Sequence, residues 1–266
     1  MDSPDQRDID ERIQTYYGEI FDETARLTTR SAQGPLEFRR TQELIRSFAP
    51  QGRVADIGGG SGVHARALLD AGYRVDLIDP VQSHVDAARA EGIDACTGDA
   101  RDLPFEDATF DIALVLGPLY HLSTSDDRRQ ALVEAARITK PGGMLFAAAL
   151  SRYVGFGNLM LSRPVPAQMR EDWTSLIIDG VPSSTLRFPA GHFHTAEELH
   201  EEVASAGWEV RDVVGVEGPA GLFLEMAENA DDDVREAALT IARAASRVPG
   251  IRDQSAHLMA VAIRPV

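Results

Sequence analysis

At 266 residues, 44% hydrophobic and 26% charged, the chain can bury a sizeable core as one domain or as one domain with a lid. Its formal net charge of −16, with arginines scattered singly or in pairs such as Arg39-Arg40 and Arg128-Arg129, argues against nucleic acid or an anionic membrane as partner. A lone cysteine, Cys96, excludes an internal disulfide and a thiolate-rich metal site. No apolar run approaches the ~18 residues of a membrane span and the start is polar and acidic, so a cytoplasmic location is expected.

Residues 8–29 carry apolar points at Ile9, Ile13, Tyr16, Tyr17, Ile20 and Phe21, the spacing of an amphipathic helix. Gly34-Pro35 reads as a break, and 36–48 resumes helical spacing until Pro50, so residues 1–50 read as an amino-terminal helical lid. The period then changes. Strands are expected at 53–57, 73–78, 93–97 and 110–116, alternating with helices at 62–71 and 81–90, which end at Gly72 and Gly92. A helix at 126–139 follows, and Pro141-Gly142-Gly143 turns into a fifth strand at 144–149. This alternation predicts βαβ units and a mainly parallel α/β sheet, with its ligand-binding core at 51–150.

Residues 151–194 lack a clean period and read as an insertion at the carboxyl ends of the strands, where open α/β sheets bind ligands. Regularity returns at Thr195-Ala196-Glu197-Glu198, a capping box opening a helix to about Ala206. A strand at 207–216, a helix at 231–247 and a strand at 257–263 complete the sheet, with an antiparallel pair expected at its edge. Residues 195–266 thus form the carboxyl-terminal part of the core.

The stretch VADIGGGSGVHA at 54–65 carries the register Asp56-x-Gly58-x-Gly60-x-Gly62. Its second half, Gly60-Ser61-Gly62-Val63-His64-Ala65, also satisfies the dinucleotide fingerprint, and Asp79 stands about twenty residues further on, as a ribose-binding acid should. A nicotinamide-dependent oxidoreductase therefore stays open. A phosphate loop does not, because no lysine follows the glycines. Asp56, just before the glycines, would repel a pyrophosphate but not a sulfonium donor with a free amino group. Asp99 places a further acid after the third strand.

DIGGGSG, LIDP, GDARDLPFEDATFDIAL and the Pro-Gly-Gly turn resemble the class I S-adenosylmethionine-dependent methyltransferases over residues 36–150. The first 35 residues and the closing strands are similar to the bacterial small-molecule branch of that class. The resemblance implies a Rossmann-like seven-stranded sheet with helices on both faces and S-adenosylmethionine as cofactor. Residue by residue, it implies that Asp56 holds the amino-acid part of the donor and that Gly58, Gly60 and Gly62 pass beneath it. Asp79, followed by Pro80, would take the ribose hydroxyls. Asp99 and Ala100 would hold the adenine edge, and Leu116 would border the methyl group. Asp56 is shorter than the glutamate common at this position of the class.

Methyl transfer from a sulfonium is an in-line displacement, so the protein must align the acceptor and, for a hydroxyl or protonated amine, remove a proton. His121 and Tyr120 in GPLYHL follow the fourth strand and are the first candidates for that task. His192 and His194 in GHFHT share a side if extended; they would polarise an acceptor or, with His121, bind a metal, although no metal is assigned. Tyr17, with Tyr16, could fold over the donor, and Arg40 could pair with its carboxylate. Phe156, Met160, Trp173 and Phe193 could line an apolar acceptor pocket. The expected function is methyl transfer to a small organic acceptor at oxygen, nitrogen or carbon. The oxidoreductase and a non-catalytic S-adenosylmethionine-binding regulator are the alternatives, and a homodimer stays open.

Overall fold

A computed structural model describes residues 5–20, 23–153, 169–183 and 188–266; Phe21, Phe156 and Met160 lie outside the described residues. Its centre is a seven-stranded sheet built from β1 (Arg53–Ile57), β2 (Arg74–Asp79), β3 (Asp94–Thr97), β4 (Phe110–Val115), β5 (Thr139–Leu150), β6 (Glu209–Gly215) and β7 (His257–Ile263). The spatial order is β3-β2-β1-β4-β5-β7-β6, parallel throughout β1–β5. β7 is antiparallel to both β5 and β6, so the expected antiparallel edge pair is β7–β6 and the reversed strand itself is internal. The topology reverses between β1 and β4, the crevice where open sheets bind ligands.

β4 and β7 are nearly continuous apolar runs because both faces of the sheet are covered. On one face pack α3 (Gln33–Phe48), α4 (Val63–Asp70) and α5 (Gln82–Ala90), through Leu44, Ile45, Leu68 and Ala88. On the other pack α7 (Ser125–Ile138) and a later helix, Ala196–Ser205, through Leu132, Ile138, Leu199 and Val203. The expected capping box opens that later helix: Thr195 accepts from the Glu198 N–H while the Glu198 carboxylate accepts from the Thr195 N–H.

The single helix expected at 8–29 is α1 (Gln6–Thr15), a π-helical turn (Tyr16–Ile20) and α2 (Glu23–Thr28). Gly34-Pro35 is not a break but the first turn of α3, where proline is tolerated. Gly34 is required there for packing, since an added Cβ would collide with the Arg26 carbonyl of α2. The short α6 (Pro118–His121) follows β4, and the 151–194 region contains α8 (Met169–Asp179). The helix Ala196–Ser205 is α9, followed by α10 (Gly221–Glu225) and α11 (Asp232–Ala245).

Candidate active site

A cavity of about 270 Å³ lies at the carboxyl ends of β1, β2 and β4, continuing over β5, β6 and β7. It is lined by Asp56, Gly58, Gly60, Asp79, Pro80, Asp99, Ala100, Leu116, Tyr120, His121 and Tyr17, which brings most of the sequence candidates to one place. Gly62, Arg40, His192 and His194 do not line it.

The glycine loop follows from steric demand. Gly58 has φ +71°, and an added Cβ would stand 2.8 Å from Cδ of Pro118, the first residue of α6. At Gly59 the constraint is different: a Cβ would lie 2.7 Å from the Asp56 carboxyl and from Leu77. Gly62 does not face the cavity but caps α4 at φ +85°, where a side chain would strike Ile93. The loop is hung from β2, with the Gly58 N–H donating to Ile78 O at 2.7 Å and the Gly60 N–H donating to Asp79 Oδ2 at 2.8 Å. Asp79 Oδ1 accepts from the Val81 N–H at 2.9 Å and lies 3.2 Å from His84 Nδ1.

Asp56 is the electrostatic anomaly. It is 1% exposed, and its Oδ2 has no hydrogen-bond partner among the described residues. Burial, and then the neighbouring Asp79 charge, raises its pKa to about 7. A buried carboxyl without a partner is costly unless something entering the cavity satisfies it, and the group that does so best is a cation or a donor. The α-ammonium of S-adenosylmethionine has that chemistry. Asp99, by contrast, is held: Arg101 donates to it from its backbone at 2.8 Å and from Nε at 2.9 Å. Burial would raise the Asp99 pKa, but these bonds outweigh it and the net direction is down.

One face of α1 covers the cavity through Gln6, Asp10, Ile13 and Gln14. Gln6 accepts from the Ser123 N–H at 2.7 Å, and the Gln14 amide donates to Pro80 O at 2.8 Å. Arg12 donates to Phe188 O at 3.2 Å, and Thr24 Oγ1 meets Ser61 Oγ of the glycine loop at 2.9 Å. Tyr17 packs edge-on against His84 and His121.

Both nitrogens of His121 are engaged. Nδ1 lies 2.8 Å from Pro189 O, so it carries the proton, and Nε2 at 3.1 Å accepts from the Tyr17 hydroxyl. Burial lowers its pKa to about 4, so the ring is neutral at physiological pH. Gly191 lies flat on this turn, donating its N–H to Tyr120 O at 2.8 Å.

His192 and His194 do come together, ring centroids 4.6 Å apart, but on the α7–α9 side of the segment. His194 Nε2 is 3.0 Å from Glu202 Oε2, and Glu202 also forks to the buried Arg128. This is a polar junction between elements, and neither ring forms a ligand cluster with His121 among the described residues. Arg40 is buried against Glu43 at 2.9 Å. The arginine of this region that lines the cavity is Arg26, paired to Glu37 at 2.6 and 3.0 Å. Trp173 is half-buried and Phe193 is buried in a small cluster with Leu176 and Ala190; neither lines the cavity.

Sequence reasoning missed a polar group on the far wall: the buried Glu37, Glu217 and His257 with the half-buried His64. Glu37, His64 and His257 line the cavity, and Glu217 backs His257 at 2.5 Å. No local pattern announces it, since its members come from α3, α4, the segment after β6 and the start of β7.

A methyltransferase-domain family profile matches residues 55–147, the span that carries Asp56, Asp79 and Asp99. The demethylmenaquinone methyltransferase of Corynebacterium urealyticum is 30% identical over 178 residues, 64% of this chain and 73% of that protein. A Thermotoga maritima S-adenosylmethionine-dependent methyltransferase, described as a possible histamine N-methyltransferase, superposes with TM-score 0.62 at 20% identity, covering 96% of this chain and 99% of that one. The 1,6-didemethyltoxoflavin-N1-methyltransferase of Burkholderia thailandensis, solved with 1,6-didemethyltoxoflavin and S-adenosylhomocysteine, superposes with TM-score 0.60 at 16% identity, covering 100% of this chain and 92% of that one. These superpositions establish the fold, and the corynebacterial relative establishes the family. The chain belongs to the S-adenosylmethionine-dependent methyltransferases.

Proposed function

We propose that this methyltransferase acts on a small organic acceptor held between the glycine loop and the wall formed by β5, β6 and β7. The observation that carries the reading is Asp56, which lines the same cavity as Tyr120, His121 and His257 and whose buried Oδ2 has no partner among the described residues. S-adenosylmethionine supplies an activated methyl group, so the protein must bind, orient and exclude water. Asp56 suits the donor ammonium, Asp79 the ribose hydroxyls, and Asp99 with Ala100 the adenine edge. Leu116 and Pro118 border the reacting methyl. Arg26, rather than Arg40, suits the donor carboxylate, with His64 beside it at the start of α4. The neutral His121 fixes Tyr17 across the site and so keeps α1 closed.

Acceptor size follows from enclosure. A macromolecule could enter only by displacing α1, whereas a small molecule fits beneath it. The net charge of −16 further disfavours nucleic acid. No described helix is long and apolar enough to cross a membrane, in keeping with a cytoplasmic enzyme. A homodimer would leave this cavity within each chain. The corynebacterial, Thermotoga and Burkholderia proteins are described with small organic acceptors, consistent with the reading. Incubation with methyl-labelled S-adenosylmethionine and parallel pools of small phenols, small amines and total tRNA tests it. Label in a small-molecule pool is expected; label in tRNA alone would overturn it.

A further inference from the structure

Outside the donor-binding residues the molecule carries the His192–His194–Glu202–Arg128 junction, the exposed apolar Phe223 on α10 with Met226 just after it, the half-buried Cys96, and the polar wall of the cavity. Only the last combines access, unusual charge and a group left open to a ligand. Glu217 is completely buried, and it accepts from the start of β7 and from α3. Its Oε2 accepts from the Ser255 hydroxyl at 2.7 Å and the His257 N–H at 3.0 Å. Its Oε1 accepts from the Gln33 amide at 3.1 Å and from His257 Nδ1 at 2.5 Å. Glu37 Oε2 lies 3.7 Å from the same Nδ1. With Nδ1 held between carboxylates, the ring's other nitrogen, Nε2, has no hydrogen-bond partner among the described residues and is not among the sealed polar atoms of the interior. It belongs to a residue that lines the cavity, beside Tyr120, Met259 and Val216.

We infer that His257, oriented by Glu217 and Glu37, is the acceptor-binding group, and that it donates its Nε2 hydrogen to the oxyanion of an acidic hydroxyl, a phenol or an enol. This rests on the small-acceptor reading above and narrows it to a substrate class. The groups facing His257 are Glu217, Glu37, Arg26, His64 and Tyr120. Burial alone would lower the His257 pKa; Glu37 and Glu217 overcome burial and carry it to about 9, so the ring is an imidazolium at neutral pH. Burial lowers His64 to about 4, leaving it neutral, and Arg26 is matched by Glu37. Among the described groups that face His257, the imidazolium is the one that presents a charged N–H to the cavity.

The chemistry balances. The hydroxyl loses its proton to solvent on binding, and the oxyanion attacks the sulfonium methyl. An O–CH3 bond forms as the S–CH3 bond breaks, and anion plus cation give a neutral ether and a neutral thioether. No base is needed in the transfer step. The ligand atoms of Glu37, Glu217 and His257 lie within 4.8 Å of one another, but Arg26, Gln33, Ser255 and the His257 backbone already occupy the carboxylates. A metal ion would have to displace them.

The test uses 4-nitrophenol, whose absorbance reports its own ionisation, with the full chain saturated by S-adenosylhomocysteine in buffer containing EDTA. The expected result is a bound probe whose ionisation midpoint lies at least one pH unit below that of free 4-nitrophenol, a tenfold shift in the equilibrium. Neutral 4-nitroaniline should bind at least tenfold more weakly. His257→Gln should abolish the shift, and Glu217→Gln should reduce it, while both still bind S-adenosylhomocysteine in calorimetry. An unshifted midpoint, equal binding of the aniline, a shift that survives His257→Gln, or no binding of the phenol would each overturn the inference. Should a variant not fold, the wild-type comparison of phenol with aniline decides alone. Failure of S-adenosylhomocysteine to bind the wild-type chain would instead count against the donor site.

Discussion

The Tyr17 hydroxyl lies 3.1 Å from Nε2 of His121, joining the turn after α1 to the turn after β4 across the mouth of the cavity. His121 Nδ1 is committed to Pro189 O, which fixes the tautomer and makes Nε2 the acceptor. Tyr17→Phe keeps the ring packing and removes one hydrogen bond, worth about 1 kcal/mol. Affinity for S-adenosylhomocysteine should fall about fivefold by calorimetry, with little change in melting temperature.

Asp56 should make the ligand-free protein lose stability between mildly acidic and neutral pH. Its pKa is raised by burial and then by Asp79, to about 7, so the native state binds more protons than the unfolded state from about pH 4 to pH 7. Stability therefore declines as pH rises through that window, and the full penalty is present above it. Asp56→Asn removes the penalty, so the ligand-free variant should be more stable than wild type at pH 8, by at most roughly 4 kcal/mol, and no more stable at pH 4. Bound donor should invert the ranking, since the variant loses the charge that meets the ammonium. Thermal melts at both pH values, with and without S-adenosylhomocysteine, would show it.

Gly59→Ala isolates steric demand in the loop. The added methyl would sit 2.7 Å from the Asp56 carboxyl and the Leu77 side chain, and both are sealed into β1 and β2. Binding of S-adenosylhomocysteine should drop at least about tenfold, roughly 1.4 kcal/mol. Far-ultraviolet circular dichroism should stay unchanged.

The Glu202–Arg128 pair is structural. Arg128 is 4% exposed and reaches Glu202 through Nε at 2.9 Å and Nη2 at 2.5 Å. Glu202→Gln leaves a buried guanidinium without its counter-charge and should cost about 3 kcal/mol in urea unfolding. The donor affinity of the folded fraction should be unchanged, which separates this junction from the cavity.

What the sequence made legible was local. Asp56, Asp79 and Asp99 stand at or just beyond the carboxyl ends of β1, β2 and β3, so their convergence follows from these strands lying side by side in one parallel sheet. Arg40 was misplaced by helical phase: Glu37 and Thr41, four residues apart, line the cavity, and Arg40 is one position, about 100°, off that face. For His192 and His194, alternation showed correctly that they share a side, but not which side packs against α9. His257 was invisible for a topological reason. It opens an ordinary apolar strand, and only the insertion of β7 between β5 and β6 brings it to Glu217 and within reach of Glu37 on α3. Residues so far apart in the chain leave no spacing to read.

Calorimetric titration of the metal-stripped protein with S-adenosylmethionine, S-adenosylhomocysteine and NADH in parallel tests the central claim most directly. Micromolar binding of the first two, weakened by Asp56→Asn and by Asp79→Asn, with no heat from NADH, is the predicted result. Binding of NADH alone, or donor binding indifferent to both substitutions, would contradict the assignment of this cavity as the methyl-donor site.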